Sequence, residues 1–353
     1  MSAGTFFKTF SSSDRTTTRT LLHEAIPITG TLVSGTYAEV VGTDRNANIK
    51  TYSHGMFQSV YDYPYLSSSA NHIFDVTCGF STEDVTTPTS LSSSATSQVA
   101  KKVNIYNQMA QTLVGYDTNG SIRPFDQDGD LSAGTKTHNA VFLNFSRLLV
   151  KDEIKKGSFK LDLGVNSSSA APFSMMSYIT DTGAETSYKI NSPAGEYGLL
   201  KSDGTNVGLI YYQAGICVLT ASVVGVTSSF GTIGAPGGQG VASVLSASTI
   251  DTFADEFRHR IGNISFNNTT ELNSTIYFCR ANHNEFNYSS NPTYLNGSKI
   301  RVKNENILAP PKSYVTTVGL YSADNELLAV AKLSEPLRKD PSNELTLRVR
   351  LDY

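Results

Sequence analysis

The segment Glu344-Leu-Thr-Leu-Arg-Val-Arg-Leu-Asp-Tyr353 alternates apolar and polar side chains without interruption. Successive side chains of a strand point to opposite faces of a sheet, so this period of two predicts a half-buried β-strand. A hairpin is predicted just before it, with arms at Tyr314–Tyr321 and Leu327–Leu333 joined by the turn Ser322–Glu326. These segments make the end of the chain a region of antiparallel β-structure.

The composition of the 353-residue chain extends this expectation to the whole protein. Ser, Thr, Asn and Gly are plentiful, Trp is absent, and 18 Tyr and 17 Phe supply the aromatic bulk. Such a balance favours strands and turns over long helices. We therefore predict a mainly β fold of antiparallel, β-sandwich-like sheets, with two or three short helices and long Ser/Thr/Gly-rich loops.

Changes in pattern along the chain predict three parts. The first is a polar N-terminal arm at residues 1–20, and the second is a β-rich domain at 21–165 with one helix near 101–114. The third is a β-sandwich-like domain at 166–353, which contains the hairpin and the terminal strand. A strand is also expected at Ala140–Val150 within the second part.

Two helices are predicted from apolar spacing. The first places apolar side chains at helical intervals and ends at Gly115; these side chains belong to Tyr106, Met109, Ala110 and Leu113. The second spans Ile250–Ile261, where Ser248 followed three residues later by Asp251 resembles a capping box.

Charge and cysteine content exclude several kinds of partner and compartment. The net charge is −3 and no long block of Lys or Arg occurs, so we do not expect nucleic acid as a partner. Cys78, Cys217 and Cys279 are too few and too far apart for a disulfide framework, which predicts free thiols and a reducing compartment. No apolar run reaches 18 residues, and Met1–Phe10 does not resemble a signal peptide, so we expect neither a membrane span nor secretion.

The alternating carboxylates Asp126, Asp128 and Asp130 form the one segment that resembles a metal loop. Such residues can converge on a hard cation such as Ca²⁺. An EF-hand loop would need Gly and Glu where this chain has Leu131 and Thr137. The pattern leaves two interpretations, a calcium site or a plain acidic turn, and it favours the turn.

No motif assembles a nucleophile, a base and an orienting group. Cys-x-x-Cys, His-Glu-x-x-His and Gly-x-Ser-x-Gly are all absent. The polar cluster Asn282–Glu285 could be a catalytic or ligand patch, or a hydrogen-bonded corner that locks the turn Phe286–Tyr294, which is the interpretation we favour. We therefore expect no enzymatic activity and no cofactor.

Several aromatic and basic residues are candidates for contact with other proteins. In the arm, the candidates are Phe6, Phe7 and Phe10, which could dock on a neighbour unless the terminus is loose. In Tyr52–Leu66 they are Tyr61, Tyr63 and Tyr65, which would form a sugar or protein contact surface if exposed. A core or a subunit interface is the interpretation we favour for this aromatic segment.

Arg348 and Arg350 occupy the polar face of the terminal strand. They could pair with an acidic surface of a partner, or they could belong to a solvated sheet face. The exposed edges of C-terminal strands could also be completed by strands of neighbouring subunits.

Five segments resemble virion structural proteins of contractile-tailed bacteriophages, notably T4-like phages of marine cyanobacteria. Four of them match a C-terminal region of those proteins: Asn273–Arg280, His283–Tyr294, Tyr314–Tyr321 and Asn325–Pro336. The fifth, Ser53–Tyr65, extends the resemblance toward the N-terminus. The family carries no catalytic or ligand-binding motif that can be transferred to these positions.

The resemblance implies a non-enzymatic structural component of a virion, in the tail or the baseplate. Its expected partners are other virion proteins and copies of itself, in an oligomer assembled in the bacterial host cytoplasm. A neck or capsid-decorating protein is an alternative within the same class. A carbohydrate-binding module for a host receptor is an alternative from another class.

Overall fold

The structure is a computed structural model that describes residues 7–34, 48–81, 97–131, 134–166, 171–221, 223, 249–289, 291–296, 299–300 and 312–353. The chain divides into a larger unit, Leu22–Thr270, and a smaller unit that combines Met1–Leu21 with Glu271–Tyr353. Phe6 lies outside the described residues.

The larger unit contains an antiparallel sheet. Strand β1 (Arg15–Thr29) begins in the smaller unit and continues into the larger one. The next strands are β2 (Ile49–Thr51), β3 (Gln58–Tyr61), β4 (His72–Phe80), β5 (Phe125–Asp126), β6 (Lys136–Thr137), β7 (Asn139–Phe145), β8 (Glu153–Ile154), β9 (Lys160–Gly164), β10 (Met176–Thr180), β11 (Lys189–Ser192), β12 (Gly195–Ser202), β13 (Thr205–Tyr211), β14 (Ile216–Thr220) and β15 (Ile261–Ala281).

The order of the strands brings distant parts of the chain together. It runs β1–β15–β9–β10–β12–β13–β14–β7–β4–β3–β2, with β11 paired to β12 and β8 paired to β15. Strands β5 and β6 form a separate two-stranded hairpin. Five α-helical segments are described: α1 (Gly30–Ser34), α2 (Ser97–Leu113), α3 (Arg147–Val150), α4 (Ala184–Ser187) and α5 (Ile250–Arg258). The mainly β prediction with antiparallel sheets is confirmed.

The hydrophobic core is built around the central strands β4, β7 and β14, which carry nearly continuous apolar runs and are buried on both faces. The Phe145 ring lies 5.1 Å from the Phe266 ring and 5.8 Å from the Phe74 ring, measured between centroids. Helix α2 packs on β4 at Gly79, where a Cβ atom would stand 2.6 Å from the Lys102 carbonyl oxygen. Only glycine allows this approach of helix and strand backbones.

Helix α2 ends as its sequence predicts. The Gly115 N–H donates to the Ala110 carbonyl at 3.0 Å, and Gly115 has a φ of +88°, the left-handed conformation that terminates helices. Helix α5 ends at Arg258, three residues before the predicted end, and its N-cap is Thr249. Ser248, the predicted cap, lies outside the described residues. The Thr249 side chain, one residue after Ser248, accepts the hydrogen bond from the Thr252 N–H.

The strand expected at Ala140–Val150 is too long. Strand β7 ends at Phe145, and the N–H groups of Leu149 and Val150 both donate to the Ser146 carbonyl, which forms α3. A short apolar run does not by itself distinguish strand from helix, which is why the pattern misleads here.

The smaller unit contains the first part of β1, the second part of β15, and the remaining strands β16 (Leu295–Asn296), β17 (Lys299–Ile300), β18 (Ser313–Tyr321), β19 (Leu327–Lys339) and β20 (Leu345–Asp352). Strand β20 pairs with β15 from Ser274↔Asp352 to Ala281↔Leu345. Strands β18 and β19 form the predicted hairpin. In β20, polar residues are exposed and alternate with residues that are half-buried or buried, which confirms the period of two.

The units do not follow the predicted domain limits. The position between residues 165 and 166 falls inside the larger unit, because Gly164 of β9 pairs with Met176 of β10 across it. The expected arm is a strand from Arg15 onward, and the Thr17 and Thr275 hydroxyl oxygens lie 3.0 Å apart.

All three cysteines are free, as predicted; Cys78 and Cys217 are buried and Cys279 is half-buried. Within the described parts of the chain, no helix has the length and apolar character needed to cross a bilayer.

Candidate interaction surface

The two units differ sharply in how their apolar side chains are placed. All members of the main core belong to the larger unit. Within the described residues of the smaller unit, two apolar side chains are buried, Leu320 and Val349. Among its described residues, the same unit exposes twelve large apolar side chains: Phe7, Phe10, Leu21, Leu272, Phe286, Tyr288, Tyr314, Tyr321, Leu327, Leu328, Val330 and Tyr353. A unit with this distribution presents surface that association with another molecule can bury.

The β18–β19 hairpin shows how the exposed surface arises. Its cross-strand pair Leu320↔Ala329 faces inward, where Leu320 is buried. The pair Tyr321↔Leu327 is exposed. Leu328 is the extra residue at the register shift between these pairs, and it is 67% exposed.

We call Tyr321, Leu327, Leu328 and Val330 the hairpin patch. Gly319 lies opposite Val330, and a Cβ atom added there would meet the Tyr321 ring at 3.0 Å and the Leu327 side chain at 3.4 Å. These two side chains therefore lean over Gly319 and keep the patch continuous. An isolated two-stranded hairpin is marginally stable in water, so an apolar outer face is most useful when a partner covers it.

Sequence reasoning did not single out the hairpin patch, although a signal was present. The adjacent apolar residues Leu327 and Leu328 cannot both point inward in a strand of period two, so one of them must face outward.

Arg348 and Arg350 lie on the exposed polar face of β20, where the sequence pattern places them. The Arg350 Nε donates to the Asp352 carboxylate at 2.9 Å and to the Ser274 hydroxyl at 2.9 Å. No ion pair is found for Arg348 within the described residues. Among the described residues, this face therefore carries one positive charge that has no ion-pair partner.

The described start of the chain makes specific contacts inside the smaller unit. The Phe10 ring lies 5.3 Å from the Tyr277 ring, whereas Phe7 is mostly exposed. Lys8 pairs with Glu285 at 2.8 Å. These contacts argue against a loose terminus from Phe7 onward and leave Phe7 free to contact a partner.

The Asn282–Glu285 cluster is a hydrogen-bonded corner, as predicted. The Glu285 carboxylate accepts from the Asn282 N–H at 3.0 Å. The buried Lys339 ammonium donates to the His283 carbonyl, the Asn287 side-chain oxygen and the Asp340 carbonyl at 3.2, 2.8 and 3.1 Å. Burial lowers the pKa of Lys339, and three acceptors match its three N–H groups. The sequence pattern did not predict this buried lysine, because two of its three acceptors, on His283 and Asn287, lie more than 50 residues away in the chain.

The acidic segment Asp126, Asp128 and Asp130 places its carboxylate oxygens within 4.8 Å of one another. Asp126 is buried and lies opposite Lys136 in the β5–β6 hairpin. The Lys136 ammonium donates to the Asp126 carboxylate at 2.7 Å. Burial raises the pKa of Asp126, and the lysine opposes that shift. Because a cation of the chain already contacts the buried carboxylate, the geometry favours the acidic turn. The Asp128 carboxylate accepts from the Asp130 N–H at 3.1 Å, as expected for a turn.

The aromatic segment Tyr52–Leu66 is partly exposed. Tyr63 and Tyr65 are exposed and Tyr61 is half-buried. Of the two favoured interpretations, burial in a core is therefore wrong for Tyr63 and Tyr65, and a subunit interface stays a prediction. The Tyr61 and Tyr65 rings lie 6.3 Å apart with a 42° tilt, and Tyr61 packs edge-on against His72 at 5.6 Å. The rings therefore form a patch without a flat stacking platform.

No protein-family model, curated protein or solved structure matches the chain.

Proposed function

We propose that this chain is a non-enzymatic structural subunit of a contractile-tailed bacteriophage virion, located in the tail or the baseplate. It acts through repeated contacts with other virion proteins and with copies of itself. The observation that carries the proposal is the smaller unit, which buries Leu320 and Val349 among its described apolar side chains and exposes twelve large ones. The resemblance of five segments to virion structural proteins supports the setting.

The stability of the smaller unit depends on how much of its apolar surface is removed from water. Burying apolar surface stabilises a protein by about 25 cal/mol per Å². A unit that fully buries only two of its described apolar side chains gains only part of this energy by itself. Assembly that covers the hairpin patch would supply it, since binding to the folded state alone shifts folding toward that state.

The cysteines are consistent with assembly in the bacterial host cytoplasm before incorporation into the virion. Cys78 and Cys217 are buried as free thiols, which suits a reducing compartment. Burial raises the pKa of Cys78 to about 12 and raises that of Cys217, so neither thiol is poised for redox chemistry.

Cryo-electron microscopy of purified particles of the phage that encodes this chain tests the proposal. We expect density for the chain in the tail or baseplate, with the hairpin patch covered by a neighbouring subunit. Density at the neck or on the capsid would replace the proposed position with an alternative one. Absence of the chain from the particle, checked by mass spectrometry, would refute the structural function.

A carbohydrate-binding role is a second candidate, and the exposure of Tyr63 and Tyr65 favours it. Aromatic rings present apolar faces that can pack on sugar rings. This function predicts that the purified chain is retained on host lipopolysaccharide and that the Tyr63→Ala/Tyr65→Ala variant is not. Equal passage of both proteins would exclude the role.

A further inference from the structure

The hydrogen bonds at the end of β20 determine which way its backbone groups point. The Tyr353 N–H donates to the Asn273 carbonyl at 2.8 Å, and the Asn273 N–H donates to the Tyr353 carbonyl at 2.9 Å. This reciprocal bonding marks a hydrogen-bonded pair of an antiparallel ladder, in which such pairs alternate with non-bonded pairs. The register continues without a shift to Ala281↔Leu345, so the odd-numbered residues of β20 bond to β15.

The even-numbered residues of β20 direct their N–H and C=O groups to the opposite edge. They are Thr346, Arg348, Arg350 and Asp352. Within the described residues, β20 pairs with β15 alone, so no described strand occupies this edge. A row of unpaired backbone donors and acceptors is a template for another strand.

The side chains of the same four residues are exposed. Arg350 and Asp352 form an ion pair with each other, and Arg348 has no ion-pair partner in the described chain. A strand that pairs here would place its own side chains about 4.5–5.5 Å from these residues, measured between Cβ atoms. Carboxylates opposite the arginines would be stabilised, and cationic side chains would be repelled.

Charge argues against a second copy of β20 as the occupant. Two copies of β20 can pair along this edge only if their even-numbered residues lie opposite one another, because these residues carry the outward backbone groups. The two antiparallel registers of this kind that pair the most residues set Arg348 opposite Arg348, or Arg348 opposite Arg350. Like charges directly opposite each other destabilise a strand pair. The occupant must therefore differ from β20 in charge.

We propose that the outer edge of β20 binds, by strand addition, an extended segment of a different protein that carries carboxylates at alternate positions. Main-chain hydrogen bonds to Thr346, Arg348, Arg350 and Asp352 supply affinity, and the two arginines select the acidic sequence. This inference rests on the proposed function, because the acidic segment would belong to one of the partners of the virion subunit.

Fluorescence anisotropy of the full-length chain with labelled synthetic peptides tests this inference. The probe is acetyl-Thr-Glu-Val-Glu-Val-Glu-Val-Thr-amide, compared with the same peptide carrying Lys in place of Glu. We expect the acidic peptide to bind, the basic peptide to fail, and high salt to weaken binding. The variant Arg348→Glu/Arg350→Glu should weaken binding of the acidic peptide by about tenfold.

The variant Thr346→Pro separates strand addition from simple charge attraction. Proline at this position removes one outward N–H and leaves the bonds to β15 and both arginines in place. We expect an unchanged melting temperature and loss of peptide binding. Lys332→Glu, an exposed charge reversal on β19, is the matched control for Arg348→Glu/Arg350→Glu. It should bind the acidic peptide like the parent chain.

Three results would overturn the inference: no binding of the acidic peptide, equal binding of both peptides, or full binding by Thr346→Pro. These results would leave the virion function intact. A particle in which the chain is present but the β20 edge is unpaired would likewise refute this inference alone, whereas absence from the particle would refute the proposed function.

Discussion

Replacing Leu320 by alanine should open the smaller unit and leave the larger unit intact. Leu320 and Val349 are 6% and 8% exposed and are the buried apolar side chains of the described smaller unit. Full burial of one such side chain contributes about 1.5–3 kcal/mol. A buried Leu→Ala change costs about 2–5 kcal/mol, and a small core that can relax favours the lower end.

A loss of about 2 kcal/mol corresponds to an increase of about 30-fold in the population of the opened smaller unit. Hydrogen–deuterium exchange followed by mass spectrometry reads this population segment by segment. We expect faster exchange in peptides from Asn273–Arg280, Ser313–Tyr321 and Leu345–Asp352. Peptides from Thr205–Thr220, in the larger unit, serve as the internal reference and should not change.

Leu328→Ala is the matched control, because it makes the same chemical change in the same hairpin at an exposed position. Its exchange should equal that of the parent chain, whereas its incorporation into particles should fall, since Leu328 belongs to the hairpin patch. The reasoning is refuted if Leu320→Ala leaves exchange unchanged, or if it accelerates exchange equally in both units. Equal effects of the two variants would also contradict it.

Three further predictions concern thiols, the buried lysine and the acidic turn. At pH 8 an alkylating reagent should modify Cys279 first, because this thiol is half-buried whereas Cys78 and Cys217 are buried. Burial raises the pKa of all three thiols, that of Cys78 to about 12. Peptide mapping that finds Cys78 or Cys217 labelled first in the native chain would contradict this prediction. Lys339→Met should destabilise the smaller unit by about 1–3 kcal/mol, because it removes the donor to the buried Asp340 carbonyl and to two partly buried acceptors. Chemical denaturation measures the loss, and a parent-like midpoint would exclude the role. Calcium chloride should not shift the melting temperature of the parent chain or of Asp128→Asn, because Lys136 already pairs with the buried Asp126 carboxylate. If Ca²⁺ stabilised the parent chain but not the variant, the turn would be a calcium site.

Local patterns predicted the elements whose structure depends on neighbouring residues. The terminal strand follows from strict alternation between Leu345 and Tyr353, and the end of α2 follows from Gly115, which adopts the left-handed conformation. The hairpin of β18 and β19 follows from two apolar runs around a polar turn. Each of these features rests on sterics or side-chain direction over a few residues.

The candidate surface could be predicted only in part. Arg348 and Arg350 were placed on an exposed face by alternation alone. The exposure of Leu328 depends on a register shift between β18 and β19, and the burial of Lys339 depends on acceptors contributed by a separate turn. Neither the shift nor the acceptors leave a periodic signal in the sequence.

The sequence by itself therefore determined the fold class and the direction of side chains along individual strands. Tertiary structure decided that the start of the chain joins Glu271–Tyr353, and that the core lies in the other unit. Pairing of β1 with β15 joins residues more than 230 positions apart, as between Thr17 and Thr275, whose separation is 258. Such pairing is selected by the free energy of the whole fold, because every competing partner strand has the same local period of two.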